Sequence, residues 1–578
     1  MPRAPRQKPG TTKGASRTDA QTQKGRWRAA LLAILALTFA VYVPSLDNGY
    51  VHWDDTYYVS ENPVVATPTL RGLMTTPVAA NWHPLTMASL ALNYRLAGPD
   101  PASYHWLNLI LHCANTALVF VFVRALSRGR FWTTVVTSLF FGIHPLHVES
   151  VAWIAGRKDV LYALFYLIAL IAYVRYVDLR RPAWLAVAGG AGILSIASKP
   201  AAVVLPLAFF AIDHLRRRPW SPRLVVEKIP FLALSAVGGL ITWKVQQTMG
   251  ALSVPEPWSL FQKAAFAAYG TFLYVAKMFL PVDLSAIYPY PPYGSRSLPP
   301  EYTAALIAVA ILLPGILYVC RKNRVVLFGL AFFFIHVALV LQLVTVGTAV
   351  MAERYTYLPY IGLFVAVSWW LDDRPPAVDR SRGRRPWMTW RGLLAGYLAI
   401  LVLFSLVQTW KRTDVWRDPE TFWSDAIEKH PRQIVAAYYN RGNFYRRSGR
   451  FAEARRDYEQ ALALNPRFAS IWYNHAVVLT RLGSVDSALV AFDRVLALEP
   501  DRVHARNDRG ALRFRKGDLE GAVADFTRVI ELDPRSWNAY SNRALAYSRM
   551  GEHAKAEEDQ RRADLLQPDR RAPMQAPK

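Results

Sequence analysis

Long apolar runs alternate with short polar loops over the first ~410 residues and then stop. The runs lie at 29–46, 105–124, 131–143, 159–177, 183–198, 200–214, 230–246, 263–281, 303–320, 325–346, 355–371 and 391–409. Many are flanked by Trp and Tyr, whose amphipathic rings settle at a headgroup boundary, so they predict membrane-crossing helices. Several fall short of the roughly 20 residues that a straight crossing needs. Short Lys/Arg-rich loops give the expected orientation. The clusters Arg124–Arg130, Arg175–Arg181, Arg216–Arg223, Arg321–Arg324 and Arg380–Arg391 are predicted to be cytoplasmic. That puts Asp47–Pro101, His144–Asp159, Ser198–Lys199 and Met351–Arg354 on the outer face. Two apolar runs separate Arg223 from the outer loop 282–302, where an odd number of crossings is required. One of them, 263–281 with Tyr274 and Lys277 inside it, is therefore expected to lie along the interface or to re-enter, leaving about eleven crossings.

Beyond the last run the pattern becomes a repeat. Pro466, Pro500, Pro534 and Pro568 are spaced by 34 residues, and Gly449, Gly483, Gly517 and Gly551 keep the same period. So do Ala454, Ala488, Ala522 and Ala556, with Tyr458, Phe492 and Phe526 in step and Gln560 in the fourth place. This is the tetratricopeptide pattern, two antiparallel helices per unit with small residues at the close crossings. Trp423, Ala426 and Pro431 fit the second helix of a preceding partial unit. The reading is an all-α chain in four parts. A disordered basic cytoplasmic tail (1–28) precedes a polytopic membrane domain (29–410). Half a repeat plus four units (411–568), an α-solenoid, and a short tail (569–578) follow. No small-residue cleavage site follows the first run, only Val43-Pro44-Ser45-Leu46, so that run is expected to stay as an uncleaved span.

The net charge of +26 changes little in this picture. The basic residues sit mainly in loops between spans, which is a topology signal, and no nucleic-acid partner is expected. The two cysteines, Cys113 and Cys320, fall in or beside predicted spans, which excludes a disulfide framework in the soluble part.

The chemistry-bearing residues gather in the outer loops. Asp54 and Asp55 follow the first span, where a carboxylate could serve as base or metal ligand beside a lipid headgroup, or cap a turn. His144 and His147 lie three apart with Glu149 nearby, a spacing that can offer two imidazoles to a divalent metal, although Pro145 spoils the regular helix such a pair needs. Arg157 and Lys158 suit phosphate oxygens; Lys199 interrupts an apolar stretch and Glu353 and Arg354 open a span, ionisable residues at membrane depth that mark a functional site, and His83 adds an imidazole to the first loop. Acidic, basic and aromatic groups thus converge beside the membrane. That convergence suits transfer from a lipid-linked, phosphorylated donor, with a carboxylate deprotonating the attacking hydroxyl.

Three segments carry a resemblance: His-Trp-Asp-Asp in the first loop, Ile143 to Leu161 with its His-Pro-Leu-His-Val-Glu start, and Ala-Glu-Arg-Tyr-Thr-Tyr-Leu-Pro from Ala352. They are similar to the transmembrane and tetratricopeptide-repeat-containing O-mannosyltransferase family, over residues 29–568. The resemblance implies a C-type glycosyltransferase fold, a polyprenyl-phosphate sugar donor as co-substrate, and Ser/Thr acceptors in proteins. It implies catalytic roles for Asp54 and Asp55 and donor-phosphate roles for Arg157, Lys199 and Arg354. A bacterial member is expected, in the inner membrane, with active site and repeats extracytoplasmic.

Asn440, Asn474, Asp508 and Asn542 recur at the repeat period and could hold an extended acceptor peptide by its backbone. Two other readings stay open: the same donor chemistry on a glycan or lipid acceptor, and a non-enzymatic membrane scaffold whose repeats dock proteins.

Overall fold

The computed structural model describes residues 17–250, 258–291, 298–343, 347, 349–372 and 390–567. Most of the tail 1–28, the Arg380–Arg391 cluster up to residue 389, Pro568 and the tail 569–578 lie outside the described residues. The chain forms two compact units, Met1–Thr421 and Phe422–Lys578. Helix dominates both. The strands among the described residues are Tyr288–Pro289 and Ala349–Met351, paired antiparallel.

The expectation of about eleven crossings in a C-type glycosyltransferase-like layout is overturned. Among the described residues six helices are long and apolar enough to cross a membrane: Gln21–Asp47, Pro101–Leu126, Ile154–Leu179, Pro222–Thr248, Pro300–Cys320 and Gly392–Val415. A seventh is obtained if Phe131–Ile143 and Pro145–Ala152, bent by 52°, form one broken span. The reason lies in helix length. Phe131–Ile143 has 13 residues and reaches only about 20 Å at 1.5 Å per residue, against a hydrocarbon core of roughly 30 Å. Ala183–Ser198, Leu205–Leu215, Arg324–Val337 and Pro359–Ser368 are likewise short, at 16, 11, 14 and 10 residues. Proline sets several of these limits, since it cannot donate to the preceding turn: Pro145 follows one short helix, and Pro200 opens a tight turn before Leu205. The run 263–281 falls in the helix Leu260–Phe279, which carries Lys263 and Lys277 and is not among the six.

In the first unit, Ile154–Leu179 is central, with 72% of its apolar window buried, whereas Pro300–Cys320 is peripheral with 6%. Small residues allow the closest approaches. A Cβ on Gly329 would stand 2.6 Å from Gly362 O, and one on Gly362 would stand 2.7 Å from Gly329 O, so two of the short helices cross backbone on backbone. Polar bonds add to the packing: His112 Nδ1 meets Tyr357 Oη at 2.7 Å, and Asn115 Nδ2 donates to Val160 O at 2.8 Å. The basic loops gather at one end of this unit. Arg124 stacks on Trp27 at 4.5 Å, and Arg216 bridges to Asp178 at 3.1 Å. At the other end, Asn48 Nδ2 donates to Thr413 O at 3.0 Å and Gly49 N to Arg417 O at 2.7 Å. The first and last long helices of the unit therefore finish together.

Among its described residues the second unit contains four helix pairs, from Val435–Arg447 with Phe451–Leu464 to Trp537–Arg549 with His553–Leu566. The periodic glycines have a backbone cause: Gly449, Gly483, Gly517 and Gly551 have φ of +74°, +78°, +92° and +81°, the left-handed region that closes the turn within each pair. Gly442 and Gly510 sit where a Cβ would come 2.8 Å from the rings of Tyr458 and Phe526.

Candidate active site

The site lies at the end of the first unit remote from the basic loops. Its residues come from the first loop, the broken segment after Ile143, the start of Ile154–Leu179, the turn after Ser198, and the turn after the short strand Ala349–Met351. A tight turn, Ile154–Gly156, sets the register of the central group. A Cβ on Gly156 would lie 2.7 Å from Ser150 O, so this turn packs against the preceding helical turn and sets where the helix carrying Arg157, Lys158 and Asp159 begins.

The adjacent carboxylates stand in different surroundings. Asp55 is 1% exposed, and its two oxygens accept from Val51 N at 2.9 Å and Ala155 N at 3.3 Å. It fastens the first loop to the Ile154 turn. Burial pushes its carboxyl up to about 7, against the pull of those two N–H groups, and the neighbouring Asp54 adds to the rise. Asp54 keeps 28% of its side chain exposed and faces Lys158 Nζ at 3.7 Å. Lys158 in turn donates to Tyr58 Oη at 3.3 Å and lies over the rings of Tyr58 and Trp153, at 4.5 and 4.7 Å. Desolvated cations are stabilised by ring faces in this way.

Two further cations complete the rim, each paired with a buried acid. Lys199 pairs with Asp159 and sits 5.4 and 5.7 Å from the rings of Tyr162 and Tyr355. Arg354 pairs with Glu149, whose second oxygen accepts from the Arg354 backbone N at 2.8 Å. The Arg354 guanidinium also lies 5.5 Å from the Trp153 ring and 5.9 Å from Trp53, and those two indoles stack at 5.1 Å. Both cations keep 17% of the side chain exposed. Glu353 is buried, accepts from Tyr288 Oη at 2.9 Å and faces Arg412 at 3.5 Å. The two-strand pairing sets Tyr288 opposite Met351 and so places it beside Glu353. Burial raises the Glu353 carboxyl above its ordinary range. His83 stacks on Tyr58 at 5.3 Å; burial, with Lys158 and Lys199 nearby, lowers its imidazole to about 3, so it stands neutral.

Other predicted residues lie deeper. Arg157 is fully buried and donates to Asn108 Oδ1 (2.5 Å), Ser89 Oγ (2.9 Å), Asn93 Oδ1 (3.1 Å) and Tyr104 O (3.1 Å). Its fork joins three helices and is occupied. His144 and His147 are buried, with ring centroids 5.8 Å apart; His144 Nε2 meets Met278 O at 3.3 Å and His147 Nδ1 meets Phe141 O at 2.8 Å. Glu149, committed to Arg354, does not join them. Among the described residues no group of three or more His, Cys, Asp or Glu could hold a metal ion. Sequence reasoning missed Tyr58, Tyr288 and Arg412. Arg412 had a signal, an ionisable residue at the end of an apolar run, whereas the tyrosines had none beyond their aromatic character.

In the second unit the periodic amides reach across repeats. Asn474 Nδ2 donates to Tyr439 Oη at 3.2 Å, Tyr473 Oη to Asp508 Oδ2 at 2.7 Å, and Asn542 Nδ2 to Asn507 Oδ1 at 3.3 Å, each 35 residues apart in the chain. Asn440, in the first unit of the series, is partly buried.

Profiles of the tetratricopeptide repeat match residues 439–503, 478–536 and 526–558. Residues 439–558 carry tetratricopeptide repeats. Across the longer chain, similarity extends to protein O-mannosyl-transferases of animals. Human TMTC1 is 25% identical over 502 residues, covering 76% of this chain and 55% of the human protein. A Caenorhabditis elegans protein O-mannosyl-transferase is 24% identical over 473 residues, 77% of this chain and 64% of its own length. Drosophila melanogaster Tmtc1 is 34% identical over 158 residues, 26% of this chain and 18% of the fly protein. The chain thus spans less than two thirds of the length of each of these relatives. All three are animal proteins, so they lend nothing to the expectation of a bacterial member.

Proposed function

We propose that this chain is an integral-membrane glycosyltransferase that moves a hexose from a polyprenyl-phosphate donor to Ser/Thr hydroxyls of proteins, with Asp54 as general base. The observation that carries the reading is the contrast within the acidic pair: Asp55 is buried and committed to two backbone N–H groups, while Asp54 is open beside a cation. Asp54 takes the proton of the acceptor hydroxyl, the hydroxyl oxygen bonds to the anomeric carbon, and the bond from that carbon to the phosphate oxygen breaks. Polyprenyl phosphate leaves with the electron pair, its charge met by Lys158, Lys199 and Arg354. Arg157 braces the helix that carries Lys158. His83, neutral and stacked, contributes a polar wall without adding charge.

The similarity to protein O-mannosyl-transferases supports this donor class, and mannose is the sugar we propose. The repeats would present the acceptor. Asn474, Asp508 and Asn542 each spend one polar atom on the neighbouring repeat, and their Oδ1 atoms carry no hydrogen bond among the described residues, so an acceptor backbone could still be held there. Purified full-length protein in lipid, given a polyprenyl-phosphate mannose and an acceptor peptide, tests the reading by intact mass. Wild type is expected to add hexose-sized mass to Ser/Thr, and Asp54→Asn to lose at least about 100-fold in rate, the contribution of a positioned base. Full turnover by Asp54→Asn would remove it from the chemistry.

A further inference from the structure

The far end of the first unit holds a second cationic feature that the transfer reading does not use. The turns after Leu126 and Leu215 and the turn before Arg324 close around a cleft of about 840 Å³. Arg128, Arg130, Arg216, Arg217, Lys322 and Arg324 line it, and among the described residues no Asp or Glu does. The site residue Arg157 and Asp178, which bridges to Arg216, lie near opposite ends of one helix, roughly 30 Å apart at 1.5 Å per residue.

Loop charge bias alone would leave such side chains in water. Arg216 is not in water: its side chain is 3% exposed, and it is held by Ala125 O at 2.7 Å and Asp178 at 3.1 Å. Its Nε is buried without a hydrogen-bond partner. Burial and the nearby Arg128 charge pull the guanidinium below its ordinary range, even with Asp178 opposing. Arg128 and Arg217 both sit at φ 56°, a left-handed backbone that glycine adopts at less cost. A buried donor without a partner, crowded by like charges, leaves positive charge at this cleft that an anion would offset.

The cleft wall also has an apolar side. Trp369 lies under the Arg130 guanidinium at 4.3 Å, and Val319, which is 79% exposed, lines the cleft from the peripheral helix Pro300–Cys320. A free phosphate has no use for such a surface, whereas acyl chains do.

We propose that this cleft binds the phosphate headgroup of an anionic phospholipid, with the acyl chains along the exposed face of Pro300–Cys320. Guanidinium groups pair with phosphate oxygens, and basic pockets between helices at a membrane surface recruit anionic lipid. The proposal is independent of the transfer reaction.

Native mass spectrometry of the full-length protein, with phosphatidylglycerol or phosphatidylcholine supplied, tests it. Wild type is expected to retain a phosphatidylglycerol and not a phosphatidylcholine. The double variant Arg128→Gln/Lys322→Gln changes two exposed side chains, so it spares the buried bonds. It should bind phosphatidylglycerol about 10- to 30-fold more weakly, since each surface cation contributes on the order of a fivefold factor. Arg216→Gln should weaken retention as well, but the exposed pair decides if that variant fails to fold. Equal retention of the two lipids, or by wild type and the double variant, would overturn the proposal. So would release of the lipid by millimolar inorganic phosphate, which would mark a small-anion site.

Discussion

Asp55 and Asp54 differ by one position and by everything around them. The Asp55 carboxyl titrates near 7 in the folded chain and near 3.8 when unfolded. Because the folded value is raised, its contribution to stability is full below about pH 3.8 and is lost as pH rises through about 7. Asp55→Asn cannot titrate. The stability of wild type relative to Asp55→Asn should therefore be greatest near pH 4 and shrink towards pH 8, as measured by thermal unfolding of both proteins across that range. The amide also turns an NH2 group towards one of the two N–H donors, so Asp55→Asn should be less stable by about 1–3 kcal/mol at low pH. A pH-independent difference would mean that the buried carboxyl does not titrate in this window. Arg157 and Lys158 make a second contrasting pair. Arg157→Ala leaves Asn108 and Asn93 without their buried donor and should destabilise the fold by about 3 kcal/mol or more if two acceptors are orphaned, seen as a lower yield of folded protein. Lys158→Ala should fold normally and lose roughly 10- to 150-fold in donor use, the value of one charge-assisted bond. Normal donor use by Lys158→Ala would remove it from the phosphate site.

At the scale of elements, the repeats show how a periodic interaction tolerates local variation. Arg441, Arg509 and Arg543 pair with Asp457, Asp525 and Asp559, each sixteen residues on, and bind both carboxylate oxygens. The second repeat has His475 and Ala491 instead, so there the charge and its countercharge are absent together. Among the described residues Asp457 has one guanidinium partner, whereas Asp525 also has Arg513 at 3.0 Å and Arg506 at 3.7 Å. Removing one partner of a buried pair strands the other. Arg441→Ala should therefore destabilise its repeat by about 3 kcal/mol, and Arg509→Ala by clearly less. Hydrogen exchange of the helices Phe451–Leu464 and Leu519–Leu532 in the full-length variants measures this, and equal deprotection would contradict it.

For the whole molecule, the parallel first and last long helices of the membrane unit matter most. Their shared end, where Asn48 and Gly49 meet Thr413 and Arg417, is the end that carries the acidic pair. Loop charge bias predicts that the basic loops face the cytoplasm, in which case the chain would leave the membrane on the outer side, and the repeats are expected there. A cysteine at Ser484, with Cys113 and Cys320 replaced by Ser, should react with an impermeant maleimide in intact cells. Labelling only after lysis would reverse the orientation.

The sequence by itself determined what depends on short chain separations. The 34-residue period, with glycine at each left-handed turn, follows from units that pack only on their neighbours, so their pattern repeats without reference to the rest of the chain. The polar positions of the first loop and of the segment after Ile143 were legible because charge stands out against apolar runs. Tertiary structure decided the rest. Twelve apolar runs read as about eleven crossings, yet a run gives a composition and not a helix length; Pro145 and Pro200 break the hydrogen-bond ladder, and several of the helices that remain are too short to cross. Arg157 looked like a phosphate ligand, but its acceptors come from Ser89, Asn93, Tyr104 and Asn108, at least 49 residues away in the chain. The asymmetry of Asp54 and Asp55 rests on Ala155 N, 100 residues on. No local pattern records which distant N–H will reach a carboxylate, and the packing of helices against that loop is what makes one acid structural and leaves the other open.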